Sequence, residues 1–248
     1  MNNDTELSSI ILHHHLGLGD HFICCGLVNT ISEQYEKIYL ACKERNYETL
    51  KCLYSENSKI EFLKMLNESS IDYENIQIDN YSKKLNIPVK KIGFVPMKQT
   101  DYFLTFYSQA SVDFSKRYSN FNFPKNVDGS KELYESVVGD LKDYILVHDS
   151  SSEQSKYNFD LFGWRDGKNS NLPVIRITGG ITENLLQWVD VIRNAKEIHV
   201  SPSSVFFLVD SIAQTLKSDL YYHNIRPGAE SFPANTKYND YRWNIVEY

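Results

Sequence analysis

The chain has 248 residues, 42% hydrophobic and 13% aromatic, enough apolar side chain to fill one large domain or two small ones of roughly 100 to 130 residues. Its net charge of −6 excludes the overall basic field that recruits nucleic acid or an anionic membrane, so an anionic ligand has to meet local cations. The acidic start MNNDTELSS is unlike a signal peptide, no apolar run approaches the ~20 residues of a membrane span, and Cys24, Cys25, Cys42 and Cys52 fit no zinc or disulfide spacing; a soluble, cytoplasmic protein with reduced thiols is expected.

In chain order, SIILHHH (9–15) reads as a short strand entering a tight turn. DHFICCGLVNTISEQY (20–35) reads as a helix, with apolar residues at Phe22, Ile23, Leu27, Val28 and Ile31. KIYLACK (37–43) reads as a buried strand, RNYETLKCLY (45–54) as a helix and IEFLKML (60–66) as either. ENIQI (74–78) and KIGFVP (91–96) read as further short strands. The aromatic-rich residues 101–125 suggest a helix and a connecting loop, and VDGS (127–130) a boundary. The pattern then restarts. A helix is expected at 131–141, a strand entering a polar loop at 144–152, irregular chain at 153–170 and a strand at 172–178. An amphipathic helix capped by Thr182 follows at 182–195, then a strand at 197–202, a helix at 203–216 and a strand at 219–225. Such alternation favours parallel, helix-covered sheets. Its restart predicts an α/β protein of two Rossmann-like domains, 1–126 and 127–248, facing each other across a cleft.

Four stretches could carry chemistry. GLGD (17–20) lies between the first strand and helix, where Gly17 and Gly19 permit a tight turn and the helix start offers free N–H groups. The plain reading is a turn with Asp20 as N-cap. The dinucleotide fingerprint is broken, because Phe22 stands where its third glycine belongs. On a strand His13 and His15 share one face and His14 takes the other; polar groups lining a cleft are favoured over metal ligands. HVSPSS (199–204) places Ser203 and Ser204 at a helix start, suited either to capping or to an anion. VHDSSSEQSK (147–156) and GWRDG (163–167) supply His148, Ser150, Lys156 and Arg165, and His223 and Arg226 follow the last strand; these cations would gather at the carboxyl edge of a parallel sheet.

Together, HHLGLGDHFICCGLVNTI and the later YILVHDSSS and AKEIHVSPSSVFFLVDSI resemble glycosyltransferases of the GT-B fold, especially the heptosyltransferase-like and fucosyltransferase-like groups. The resemblance implies a compact GT-B-like fold and an acceptor-side first domain in which the turn aspartate, Asp20, is the general base. His13, Gly17 and Gly19 would line the acceptor site. It implies a second domain that binds the nucleotide diphosphate of a sugar donor through His148, Ser150, Lys156, Arg165, Ser203, Ser204 and Arg226. His148-Asp149 stands where fucosyltransferase-like members commonly carry an arginine-containing motif. The expected reaction is sugar transfer from a nucleotide-diphosphate sugar to a hydroxyl acceptor such as a glycan or lipid-linked sugar, metal-independent, inverting and without cofactor, with His21 or His15 as substitute base. Two other readings are a binding module that kept the fold and lost catalysis, and a nucleotide-sugar epimerase or dehydrogenase, against which the broken fingerprint argues.

Overall fold

The computed structural model describes residues 7–94, 102–149, 171–225 and 243–247. The chain divides into two compact units, Met1–Lys125 and Asn126–Tyr248.

In the first unit, β1 (Leu7–His13), β2 (Tyr35–Lys43), β3 (Ile60–Met65) and β4 (Val89–Lys91) form a sheet in the order β3-β2-β1-β4, every pair parallel. Ile10, Ile11, Leu12 and His13 are consecutive and all buried, as expected of a strand covered on both faces. The register sets Leu12 against Leu40 and Ile38 against Ile60. Three helices make the crossovers: α1 (Leu18–Ser32), α2 (Tyr47–Leu53) and α3 (Ile71–Leu85). Two more, α4 (Tyr102–Ala110) and α5 (Lys116–Ser119), pack on α1.

Helix α1 has no polar face. Every residue from His21 to Asn29 is buried, because the sheet lies on one side and α4 and α5 on the other. Gly26 is the point of closest approach: a Cβ there would overlap the Lys116 carbonyl of α5. Gly26→Ala must push the two helices apart and is expected to destabilise the protein by about 3 kcal/mol, read from urea unfolding.

The expected strand at 74–78 is instead the middle of α3. Ser70 caps this helix by accepting from the Tyr73 N–H, and Asn86 closes it in the left-handed conformation. Glu74 and Ile78 are the buried pair, one helical turn apart, whereas Ile71 and Ile76 are exposed. The alternating isoleucines imitated a strand; the caps decided otherwise. Residues 60–66, left open between helix and strand, contain β3. The strand expected at 91–96 ends at Lys91, since Gly93 turns the chain at φ +90°; residues 95 and 96 lie outside the described residues.

In the second unit, β5 (Ile145–His148), β6 (Val174–Arg176), β7 (Glu197–Val200), β8 (Asp219–Asn224) and β9 (Trp243–Glu247) form a second all-parallel sheet in the order β6-β5-β7-β8-β9. Its helices are α6 (Ser130–Val137), α7 (Val189–Asn194), which extends a 3-10 turn over Leu185–Trp188, and α8 (Ser204–Ile212). The cap at this turn is Asn184, whose side chain accepts from the Leu186 N–H; Thr182, expected in that role, accepts from the Asn184 N–H two residues earlier. Phe206 of α8 packs on Tyr222 and Trp243 with ring centroids 4.7 and 5.1 Å apart. The Trp243 indole N–H donates to buried Asp210 at 3.0 Å, which pins β9 to α8. Among the described residues no helix is long and apolar enough to cross a membrane.

Candidate functional site

In the first unit the polar residues gather where β1 ends and α1 begins, at the carboxyl edge of the sheet, the usual ligand edge of open α/β folds. Gly17 is the N-cap of α1, in extended conformation and without a side-chain capping bond. Asp20, expected as the cap of the plain reading, is not one. It stands in the first helical turn, and its carboxyl has no hydrogen bond or ion pair among the described residues. Its Oδ2 lies over Gly17, where a Cβ would approach it to 2.6 Å. The residue as a whole is only partly buried, but protein atoms crowd its carboxyl, and this desolvation raises its pKa to about 7. Among the described residues no cation offsets the effect.

The histidines divide by face. The rings of His13 and His15 both pack on Phe94, at 4.6 and 5.4 Å, and His15 also meets Phe106 edge-on. Gly93 makes room: a side chain there would overlap Phe106, and its carbonyl accepts from His15 Nε2 at 2.9 Å. On the other face His14 meets His21 edge-to-face at 4.4 Å. Burial lowers His13 and His14 to about 4, His15 below its ordinary value and His21 well below it, so all four rings are neutral near pH 7. Both ring nitrogens of His13, both of His21 and Nε2 of His14 are buried without a hydrogen-bond partner. The sequence reading took the three histidines together as polar groups lining a cleft; the alternation along β1 sets His14 apart, facing His21.

In the second unit His148 ends β5 and Ser203 caps α8. Ser203 Oγ accepts from the Phe206 N–H and donates to the Ser201 carbonyl at 3.0 Å, so His148 Nδ1–H donates to it at 3.1 Å. The Ser203 hydroxyl is therefore committed to the fold, as the capping reading held. The N–H groups of Ser204 and Val205 remain at the helix start, with a positive dipole end behind them. His148 and His223 are not the cations expected: burial lowers them to about 4 and about 3. His223 closes a buried chain in which Glu197 meets His199 at 3.3 Å and His199 meets His223 at 3.1 Å. A fixed cation that the sequence reading passed over stands on β6: Arg176 pairs with Asp149, which immediately follows β5. Ser150, Lys156, Arg165 and Arg226 lie outside the described residues. Among the described residues no cluster of three or more His, Cys, Asp or Glu side chains could hold a metal ion. The four cysteines are free thiols, and burial pushes Cys25 and Cys42 up to about 12.

The sequence matches no family model and no curated protein. Its fold is similar to those of solved glycosyltransferases. The glycosyl transferase family 9 protein of Veillonella parvula aligns over all of this chain and 88% of its own, at 12% identity and a TM-score of 0.54. The ADP-heptose LPS heptosyltransferase II of Escherichia coli aligns over 97% of this chain and 90% of its own, at 10% identity and 0.50. The iron-containing heptosyltransferase TibC of E. coli, solved in complex with ADP-D-beta-D-heptose, aligns over 94% of this chain and 62% of its own, at 13% identity and 0.50. The fold is thus the heptosyltransferase-like, GT-B type that the motifs resemble.

Proposed function

We propose that the chain is a glycosyltransferase that moves a sugar from a nucleotide-diphosphate donor to a hydroxyl acceptor, without a metal and with inversion. The observation that carries this reading is Asp20: a carboxyl with no partner among the described residues and a pKa raised to about 7, at the ligand edge of a sheet, in a fold shared with glycosyltransferases. Such a group can hold a proton it has just removed. The carboxylate takes the proton of an acceptor hydroxyl while that oxygen attacks the anomeric carbon, and the bond from that carbon to the diphosphate oxygen breaks. His21 and His15 stand near this turn as neutral bases; Gly17, Gly19 and His13 complete the acceptor side. The leaving diphosphate is placed on the second unit, at the Ser204 and Val205 N–H groups, where the dipole of α8 stabilises negative charge. His148 and Ser203 support that turn, and Ser150, Lys156, Arg165 and Arg226 remain donor-side candidates. The TibC complex makes an ADP-heptose the first donor to test.

The test is a thermal-shift and hydrolysis screen against adenosine, guanosine, uridine and cytidine diphosphate sugars, run on the wild type and on Ser204→Asp. An acidic residue in the first turn of α8 favours the helix but repels a diphosphate, so the variant should fold at least as well as the wild type. Its donor affinity should fall about hundredfold, the result of roughly 3 kcal/mol of repulsion between charges a few Å apart. A folded Ser204→Asp protein that binds nucleotide sugar with unchanged affinity sinks the donor assignment. A wild type that neither binds nor consumes any of these donors sinks the transferase.

A further inference from the structure

The orphaned histidine nitrogens at the end of β1 need a partner, and their chemistry says which kind. Buried polar atoms in native proteins are almost always hydrogen-bonded, so five unpartnered ring nitrogens, on His13 at one face of β1 and on His14 and His21 at the other, call for partners beyond the described residues. We infer that the acceptor bound here is an uncharged polyol, a saccharide offering several hydroxyl groups, and not a phosphorylated or carboxylated one. The inference rests on the acceptor role proposed for the first unit.

Three observations carry it. His14 Nδ1–H donates to the His15 carbonyl at 2.6 Å, which leaves His14 Nε2 as a bare acceptor. It needs a donor, and a hydroxyl supplies one where an ionised carboxylate or phosphate does not. The Asp20 carboxylate makes the same demand, and a ligand anion beside it would be repelled. The neutral rings of His13 and His21 each require one donor and one acceptor, the pair that a hydroxyl provides, directly or through one water.

The second observation is that two fixed cations described on this sheet are already engaged. Lys91, whose charge reaches His13, is 3.6 Å from Asp79. Lys43 is 3.3 Å from Glu74 and donates to the Asn67 carbonyl. Among the described residues neither is offered to an anion at the β1 end. The third is the pair of half-buried rings His15 and Phe94, an apolar surface of the kind on which a sugar's C–H face can lie.

The experiment uses the whole protein carrying ¹⁵N-histidine, at pH 7.5. Methyl glucoside, galactoside and mannoside are titrated in, alongside the corresponding 6-phosphates and uronates, with the imidazole resonances followed. At least one neutral glycoside is expected to move the His14 Nε2 signal and the His13 or His21 rings, and its ionised counterpart to bind at least about tenfold more weakly. His14→Phe keeps the ring contact with His21 and removes the orphan nitrogen. It should fold as well as the wild type or better and bind the glycoside several-fold more weakly. His14→Gln, which restores an acceptor, should recover part of the loss and serves if the Phe variant does not fold. The inference is overturned if an ionised counterpart binds as tightly as its neutral parent. It is also overturned if no glycoside moves these rings at up to about 100 mM, or if the folded variants bind as the wild type does. Donor binding in the same samples separates the two readings. Loss of nucleotide-sugar binding with glycoside binding intact refutes the transferase and leaves this inference standing; donor turnover without glycoside binding does the reverse.

Discussion

Asp20→Asn is expected to lower turnover by roughly a hundredfold or more, the usual contribution of a general base, and to leave nucleotide-sugar binding unchanged. Asparagine keeps the shape of the side chain but cannot take a proton. Because Asp20 caps nothing, the substitution does not remove a helix cap. It should instead stabilise the protein. Burial raises the folded pKa of Asp20 to about 7, above the value of ~4 in an unfolded chain. A carboxyl shifted in this direction is stored as the neutral acid below about pH 4, costs nothing there, and costs progressively more as pH rises towards 7. Asparagine escapes that cost, so the variant should be more stable than the wild type by roughly 2–4 kcal/mol at pH 8 and equal to it near pH 4. The same ionisation shapes the rate. Wild-type kcat/KM for sugar transfer should fall about tenfold for each pH unit below 7 and level off above it. A variant that transfers sugar at the wild-type rate moves the base to His21 or His15. A slow but destabilised variant would make Asp20 a structural residue.

Gly17→Ala is expected to cost ten- to a hundredfold in turnover through position alone. The backbone at Gly17 has φ −64°, ψ 141°, a conformation alanine adopts without strain. What alanine cannot do is share space with Asp20 Oδ2, which would lie 2.6 Å from the new Cβ. The carboxylate is the end of a mobile side chain and gives way, so the loss of stability should stay within about 1 kcal/mol, the difference between glycine and alanine at an N-cap. A displacement of this size at a reacting group is costly in rate. Steady-state kinetics beside a urea titration separate the two effects. Unchanged kcat would mean that the placement of Asp20 over Gly17 is incidental. A collapse of stability would mean that the glycine serves the fold.

Much of the fold was legible because burial in parallel sheets leaves a coarse mark: short apolar runs such as SIIL and IYLAC, separated by helical stripes. The error at α3 arose where that mark is weakest. Half of α3 is exposed, only Ile78 of its three isoleucines reaches the core, and its limits are set by Ser70 and Asn86, which act through single hydrogen bonds and one backbone angle. At the site, GLGD located the turn and Asp20, since glycines and an acidic residue between strand and helix are a local signal. The pairing of Asp149 with Arg176 and the chain Glu197–His199–His223 were invisible. Each joins residues on neighbouring strands, and only the register that sets Val147 beside Arg176, or His199 beside Tyr221, brings them together. The charge states of His148 and His223 were misjudged for the same reason: composition counts a histidine as a possible cation, but burial decides whether it is one.

The burial of α1 on both sides bears on the order of assembly. Its outer side is closed by α4 and by α5, and the tightest point of that closure joins Gly26 to the carbonyl of Lys116. A helix made before α4 and α5 therefore waits for partners that follow it by some 70 residues or more. Until residues 102–119 emerge, strand β1 and its helix hold a greasy flank that nothing in the nascent chain covers. Contacts so distant in sequence form slowly, because the ends of a long loop must meet before any of them helps. During that interval the flank is a natural target for chaperones and a seed for aggregation, and the rate at which α5 docks sets how long the first unit stays exposed.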